Sequence, residues 1–108
     1  MAQKFLASLI AAAATGPGSA QAFPEGYRSH ALQVILGGAV PATTAVVALE
    51  GTLDGQNWFG LAQWTKASQA SGDIVFAVDK PVAQVRANLT ALAGGMAPTV
   101  SANVLSVP

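Results

Sequence analysis

The strand predicted over Thr43–Glu50 is the clearest structural prediction in the chain, because large apolar residues alternate with smaller or polar ones at its end. Val47 and Leu49 alternate with Ala48 and Glu50. This period of two is typical of a half-buried β-strand. A strand with one apolar side needs a second layer of structure to cover that side.

A hairpin turn is predicted directly after this strand. Asp54-Gly55 suits the positive-φ positions of a tight turn, and Gln56-Asn57 keeps the connection polar. The chain then returns with four bulky apolar residues, which are Trp58, Phe59, Leu61 and Trp64. This segment therefore predicts a strand–turn–strand unit of a β-sandwich.

Further short strands with frequent Gly and Pro between them are predicted along the rest of the chain. Their segments are Leu32–Leu36, Asp73–Val78, Val85–Ala91 and Thr99–Val107. Gly37-Gly38 is expected to end the first of them, and Ile74, Phe76 and Val78 are expected to share one side of the second. About seven or eight short antiparallel strands indicate an all-β, jelly-roll-like sandwich. We assign the sandwich to residues 24–108, within one domain overall.

Residues 1–23 are predicted to form an apolar N-terminal arm or first strand. A strand over Phe5–Ala14 would meet a break at Gly16-Pro17-Gly18, although the alanine-rich tract also allows a short helix. Lys4, the apolar run and Ala20-Gln21-Ala22 together also match a cleaved secretory leader. The run is too short for a transmembrane helix. An ordered arm would lie either on a neighbouring molecule or at the edge of its own sandwich.

The composition favours a protein that is packed against other proteins. Charged residues make up 9% of the 108 residues, five basic and five acidic, whereas about 25% is usual. Such low charge gives little attraction for nucleic acid or an anionic membrane, and we expect neither as a partner. The chain is 52% hydrophobic, more than a small sandwich easily buries. The candidate contact residues for a homo-oligomer or another partner are Phe5, Leu6, Leu9, Ile10, Phe59 and Trp64.

No constellation typical of an active site occurs in the sequence. His30 is the only histidine and there is no cysteine, so thiolate and multi-histidine metal sites are excluded. We interpret His30 as a surface or strand-start residue, since no nucleophile motif accompanies it. Four acidic residues are interpreted as turn residues, namely Glu50, Asp54, Asp73 and Asp79. We therefore predict no catalytic, cofactor-binding or metal-binding residue, no cofactor and no enzymatic activity.

The aromatic residues of the hairpin allow one alternative, a platform for a sugar. In a regular strand Trp58 and Trp64 would share one side and Phe59 would take the other. A hairpin tryptophan that packs in the sandwich core is the commoner outcome. Aromatic residues left outside the core are then candidates for a protein interface.

Four segments together resemble small virion proteins of tailed bacteriophages. They are LIAAAATGPGSAQAF (Leu9–Phe23), LEGTLDGQNW (Leu49–Trp58), VRANLTALAGG (Val85–Gly95) and TVSANVLSV (Thr99–Val107). The hairpin also resembles that of discoidin-like carbohydrate-binding sandwiches, with Thr52 where those usually carry serine or asparagine.

The phage resemblance implies a virion structural protein present in many copies. Its most specific form is a capsid decoration or cement protein on the outer capsid surface, with the major capsid protein or other virion proteins as partners. The alternatives are a head-fibre, neck, tail or baseplate component with a receptor- or glycan-binding role, and a secreted bacterial β-sandwich protein with a cleaved leader.

Overall fold

A computed structural model describes residues 5–12, 15–18, 20–66 and 70–107 of the protein. Within these ranges the chain forms nine β-strands and no helix. The strands are β1 (Phe5–Ala12), β2 (Gly16–Pro17), β3 (Gln21–Tyr27), β4 (Ser29–Val40), β5 (Thr44–Thr52), β6 (Phe59–Thr65), β7 (Ile74–Ala77), β8 (Val82–Ala93) and β9 (Met96–Val107).

The strands form two antiparallel sheets that pack face to face, which confirms the predicted β-sandwich. The first sheet has the order β1-β9-β4-β7, and the second has the order β2-β8-β5-β6, with β3 also paired to β8. β2 pairs with Leu89 and Asn88, whereas β3 pairs farther along β8 with Val85, Gln84 and Val82. β2 and β3 therefore follow β8 as one interrupted strand.

The core lies between the two sheets and is built from alternate residues of the central strands. Leu32 and Val34 of β4 face inward from the first sheet, while Val47 and Leu49 of β5 face inward from the second. Trp64 of β6 is the largest fully buried side chain, at 0% exposure. The period-two pattern thus identified the inward residues of these strands.

Trp58 and Trp64 do not share one side of the returning strand, so that prediction was wrong. Trp58 precedes β6, and the register of β5 against β6 shifts between Leu49 and Glu50. The shift inserts Leu61 as an extra residue, and Leu61 is buried together with Trp64, three positions later. Such a β-bulge reverses the alternation that a regular strand would keep.

Gly37-Gly38 does not end its strand either, because β4 continues to Val40. Gly38 has a φ of 104°, and a Cβ atom there would collide with the backbone of Ala97 in the adjacent β9. Glycine is therefore needed for the close approach of two backbones inside the sheet, and not for a strand end.

The N-terminal segment forms a strand over Phe5–Ala12, which agrees with the alternative of an edge strand in its own sandwich. β1 pairs with β9 from Phe5 opposite Ser106 to Ala12 opposite Val100. The predicted extension to residues 13–14 lies outside the described residues. The proposed division at residue 23 falls within β3. Cleavage after Ala22 would remove β1 and β2 from the two sheets.

Trp64 should contribute more to stability than any single exposed residue. Trp64→Ala is expected to lower the free energy of unfolding by about 3–5 kcal/mol, because it leaves a large cavity. Trp64→Phe should cost less, since it removes an indole N–H that has no hydrogen-bond partner in the described part of the chain. Urea denaturation measures both values.

The control for this pair is Leu53→Ala in the exposed β5–β6 loop, which should shift the unfolding free energy by less than about 0.5 kcal/mol. A Trp64→Ala protein as stable as this control would contradict the core assignment.

Candidate functional site: the two outer faces of the sandwich

One outer face of the sandwich is apolar and open to solvent. Ile74, Phe76 and Val78 share one side of the β7 segment, as predicted, and that side faces outward with Phe76 67% and Val78 68% exposed. We define the apolar face by six exposed apolar residues that lie on β4, β7, β9 and the segment after β7: Ile35, Ile74, Phe76, Val78, Leu105 and Val107. Contiguous exposed apolar surface of this kind marks interaction sites on soluble proteins.

The strand register brings the members of the apolar face together. Ala31 of β4 lies opposite Phe76 on one side and opposite Leu105 on the other. The small side chain of Ala31 leaves a depression of about 200 Å³, lined mainly by apolar atoms of Phe76, Val78, Leu105 and their neighbours. The apolar face therefore carries an open depression with mainly apolar walls.

The opposite outer face, on the second sheet, carries a polar cluster. Arg86 of β8 lies opposite Glu50 of β5, and its Nε donates a hydrogen bond to Glu50 Oε1 at 2.7 Å. Asn88 Nδ2 donates to Glu50 Oε2 at 3.4 Å. The guanidinium carbon of Arg86 stacks over the ring of Trp58, 4.3 Å from its centroid. We call Glu50, Trp58, Arg86 and Asn88 the polar cluster.

The ion pair in this cluster is partly shielded from water, because the side chains of Arg86 and Glu50 are only 24% and 19% exposed. Gly60 of β6 lies opposite Glu50 on the other side, and a Cβ atom at Gly60 would meet no atom within 4 Å. The cluster therefore borders open space beside the carboxylate of Glu50.

Glu50 was wrongly interpreted as a turn residue, because it lies inside β5. Its outward position in the alternation of Thr44–Thr52 was visible in the sequence, as was the outward position of Arg86 among buried Val85 and Ala87. The register that places the two opposite each other was not visible, since periodicity does not specify which strands pair.

Asp54 is confirmed as a turn residue. Its carboxylate accepts hydrogen bonds from the backbone N–H groups of Asn57 and Gln56, both at 2.8 Å, and from the side chains of Asn57 and Thr52. These bonds, with the backbone N–H of Asn57 foremost, hold the pKa of Asp54 well below its ordinary value.

Two other acidic residues also serve turns. Asp73 Oδ2 accepts the backbone N–H of Ala70 at 2.8 Å. Asp79 has a φ of 60° and forms an exposed ion pair with Arg28 at 3.4 Å. Among the described residues no group of three or more His, Asp or Glu side chains is placed to hold a metal ion.

His30 is not a surface residue, although it does lie at the start of β4. It is 2% exposed, its Nδ1 lies 2.7 Å from Ser106 Oγ, and its Nε2 lies 3.2 Å from the carbonyl oxygen of Lys80. Because a carbonyl only accepts, Nε2 carries the proton and Nδ1 accepts from the Ser106 hydroxyl. Ser106 is fully buried, so this pair joins β4 to β9 inside the sandwich.

The predicted contact residues of the hairpin divide between surface and core. Phe59 is 46% exposed and remains available to a neighbour. Trp64 is fully buried and offers no contact surface, so its assignment to the interface is corrected. The side chains of Phe5, Leu6, Leu9 and Ile10 lie outside what the structure describes, and their contacts stay a prediction.

The six residues of the apolar face that the strand register assembles were not assigned to an interface from the sequence. The sequence signal that could have indicated this face was the alternation that places Ile74, Phe76 and Val78 on one side of their segment.

The described part of the chain has no helix of the length and hydrophobicity that a membrane span requires.

Comparison with known proteins shows the fold. No protein-family model matches the chain, and no curated protein matches it by sequence. Among solved structures, the crystal structure of the SPBc2 prophage-derived protein YomS superimposes with a TM-score of 0.72 at 9% sequence identity. The alignment covers 100% of this chain and 96% of that one. At this identity the likeness concerns the architecture of the sandwich over its whole length.

The buried histidine should make the protein less stable in mild acid. Burial lowers the pKa of His30 below its ordinary value of 6.5, although the hydrogen bond to Lys80 opposes this shift. Below pH 6.5 the unfolded chain therefore binds more protons than the folded chain. The stability that the neutral, buried imidazole contributes is fully present above pH 6.5. It is lost as the pH falls towards the folded-state pKa of His30, by at most about 1.4 kcal/mol per pH unit.

Urea denaturation between pH 7 and pH 5 measures this loss, with His30→Gln as the variant that cannot titrate. His30 is the only histidine, so the difference between the two pH profiles isolates its contribution. Parallel profiles for the two proteins would contradict the buried neutral imidazole.

The partly shielded ion pair should matter more than the exposed one. Glu50→Gln is expected to lower the unfolding free energy by about 1.5–3 kcal/mol, because it removes the charge that Arg86 Nε contacts. Asp79→Asn, the matched control in the exposed pair with Arg28, should cost about 0–1 kcal/mol. Equal losses in denaturant titrations of the two variants would show that shielding has no effect.

Proposed function

We propose that the protein is a structural subunit of a tailed-bacteriophage particle, most specifically a capsid decoration protein that adheres to the outer surface of the shell. The apolar face of the first sheet carries this proposal. In the proposed assembly that face is covered by a neighbouring protein, which is the major capsid protein or another copy of this chain.

The chemistry of the apolar face supports a permanent contact. Three of its most exposed side chains are Phe76, Val78 and Ile74, and the β4 residues that alternate outward between Ser29 and Ile35 carry no charge. Covering apolar area contributes about 25 cal/mol per Å². A few hundred Å² therefore contributes several kcal/mol per subunit, and repetition over a symmetric shell multiplies the effect.

Net charge supports the same proposal. Five basic and five acidic residues cancel, and a surface without net charge gives little protection against association. In a solitary soluble protein this combination would favour aggregation. In a subunit that is permanently assembled, it removes the charge repulsion between neighbouring copies.

The strand order further supports a viral role. With β2 and β3 counted as one interrupted strand, the described residues form eight strands, four in the sheet β1-β9-β4-β7 and four in the sheet β2-β8-β5-β6, and successive strands change sheet everywhere except at the β5–β6 hairpin. We assign this order to a jelly roll, an architecture used by viral capsid and lectin domains. The structural neighbour YomS is described as prophage-derived, which is consistent with a phage origin for this chain.

Further contacts are proposed at Phe59, which is exposed, and in the N-terminal strand β1 at the edge of the first sheet. In this role the protein acts by adhesion and needs neither a cofactor nor enzymatic activity.

Replacing the most exposed apolar side chains should abolish assembly. The double variant Phe76→Ser/Val78→Ser is expected to sediment as a 10.8 kDa monomer and to lose binding to particles of the encoding phage. The wild-type chain should self-associate or co-sediment with those particles. Analytical ultracentrifugation measures both properties.

Leu53→Ser is the matched control, because Leu53 is equally exposed but lies in the β5–β6 loop and not on the apolar face. It should assemble like the wild type. A wild-type chain that stays monomeric at high concentration and does not bind the particles would contradict the proposed function.

A further inference from the structure

We infer that the polar cluster on the second sheet is a binding site for a neutral saccharide, with the ring of Trp58 as its apolar surface and Arg86, Asn88 and Glu50 as its hydrogen-bonding groups. The site lies on the outer face opposite the apolar face. Its existence does not depend on the proposed particle contact.

The aromatic part of the site is fixed in place before any ligand arrives. Arg86 stacks on Trp58 at 4.3 Å and is itself held by Glu50 at 2.7 Å. Trp58 is only partly buried, unlike Trp64 in the core. A rigid aromatic ring with one apolar surface and a polar neighbour loses little conformational freedom when a flat apolar ligand surface, such as the C–H face of a sugar ring, packs on it.

The polar part of the site supplies planar groups whose hydrogen-bonding capacity is incompletely used. Arg86 contacts Glu50 through Nε, while its two terminal nitrogens donate to no described residue. Asn88 donates through Nδ2, and its amide oxygen accepts from none of the described groups. Paired donors and acceptors in fixed planes match the adjacent hydroxyl groups of a sugar.

The charge of the site selects the class of ligand. The positive charge of Arg86 is balanced by Glu50 in direct contact, and Asn88 is neutral. The cluster therefore offers no net attraction to a phosphate or a uronic acid. Among ligands with many hydroxyl groups, this balance favours a neutral saccharide.

Open space for the ligand lies beside the cluster, over Gly60. This residue is opposite Glu50, nothing lies within 4 Å of the position of its Cβ, and its φ is not in the left-handed region. A larger residue can therefore occupy position 60 without strain. A larger side chain at position 60 would fill the space that a ligand needs. A substitution at Gly60 therefore tests the site without disturbing the fold.

The test titrates the full-length protein with cellohexaose, maltohexaose and chitohexaose and records tryptophan fluorescence. Because Trp64 is fully buried, a change on binding reports on Trp58. At least one of these neutral oligosaccharides is expected to bind and to change the emission. Hexagalacturonate, the acidic comparator, should bind more weakly.

Two variants test the location of the site while keeping the fold. Gly60→Leu should abolish binding by occupying the open space. Arg86→Lys keeps the charge but loses the planar fork, and should weaken binding by about tenfold or more. Isothermal titration calorimetry measures both affinities, and urea denaturation checks that each variant is folded.

Phe76→Ser on the opposite face is the control and should bind the oligosaccharide with unchanged affinity. A loss of particle contact in Phe76→Ser with intact saccharide binding would separate the two proposals. The saccharide site is overturned if none of the neutral probes binds at millimolar concentration, if the acidic probe binds best, or if Gly60→Leu binds like the wild type.

Discussion

The inward alternation of the four central strands is the constraint on which the rest of this structure depends. β4 and β9 pair over almost their whole length in one sheet, and β5 and β8 do so in the other. Since side chains alternate with a period of two, the same register that directs Leu32, Val34, Val47 and Leu49 inward also fixes what faces outward. A slip of one residue would exchange core and surface along a whole strand. The two outer faces are therefore consequences of how the core is packed.

The sequence predicts most of the strands and their inward residues. It does not predict the features that depend on strand register and on β-bulges. Alternation in Thr43–Glu50 and in Val85–Ala91 identified two central strands, and Asp54-Gly55 marked the turn correctly. The extra residue Leu61 could not be foreseen, because a bulge depends on how β6 fits against β5. The same limit explains why Gly38 was misread, since its close approach to Ala97 involves a strand almost sixty positions away.

Polar partners that lie far apart in sequence were also beyond prediction. His30 contacts Ser106, and Glu50 contacts Arg86, across separations of 76 and 36 residues. The residues next to His30 and Glu50 in the sequence do not indicate that either has a distant polar partner. The strand pairing gives His30 a structural role in the core and places Glu50 in a partly shielded cluster. The outer faces differ accordingly: one is apolar and uncharged along β4, and the other presents an aromatic ring beside balanced charges. A subunit attached through the first face would present the second to solvent.

The central claim is that the apolar face is buried against another protein in the working state of the molecule. The most direct measurement is the position and orientation of the sandwich in an electron-microscopy map of the intact phage particle. The account predicts density for the chain on the shell, with Phe76 and Val78 against a neighbouring subunit and Trp58 towards solvent. Density in which Phe76 and Val78 face solvent, or a particle that lacks the protein, would contradict it.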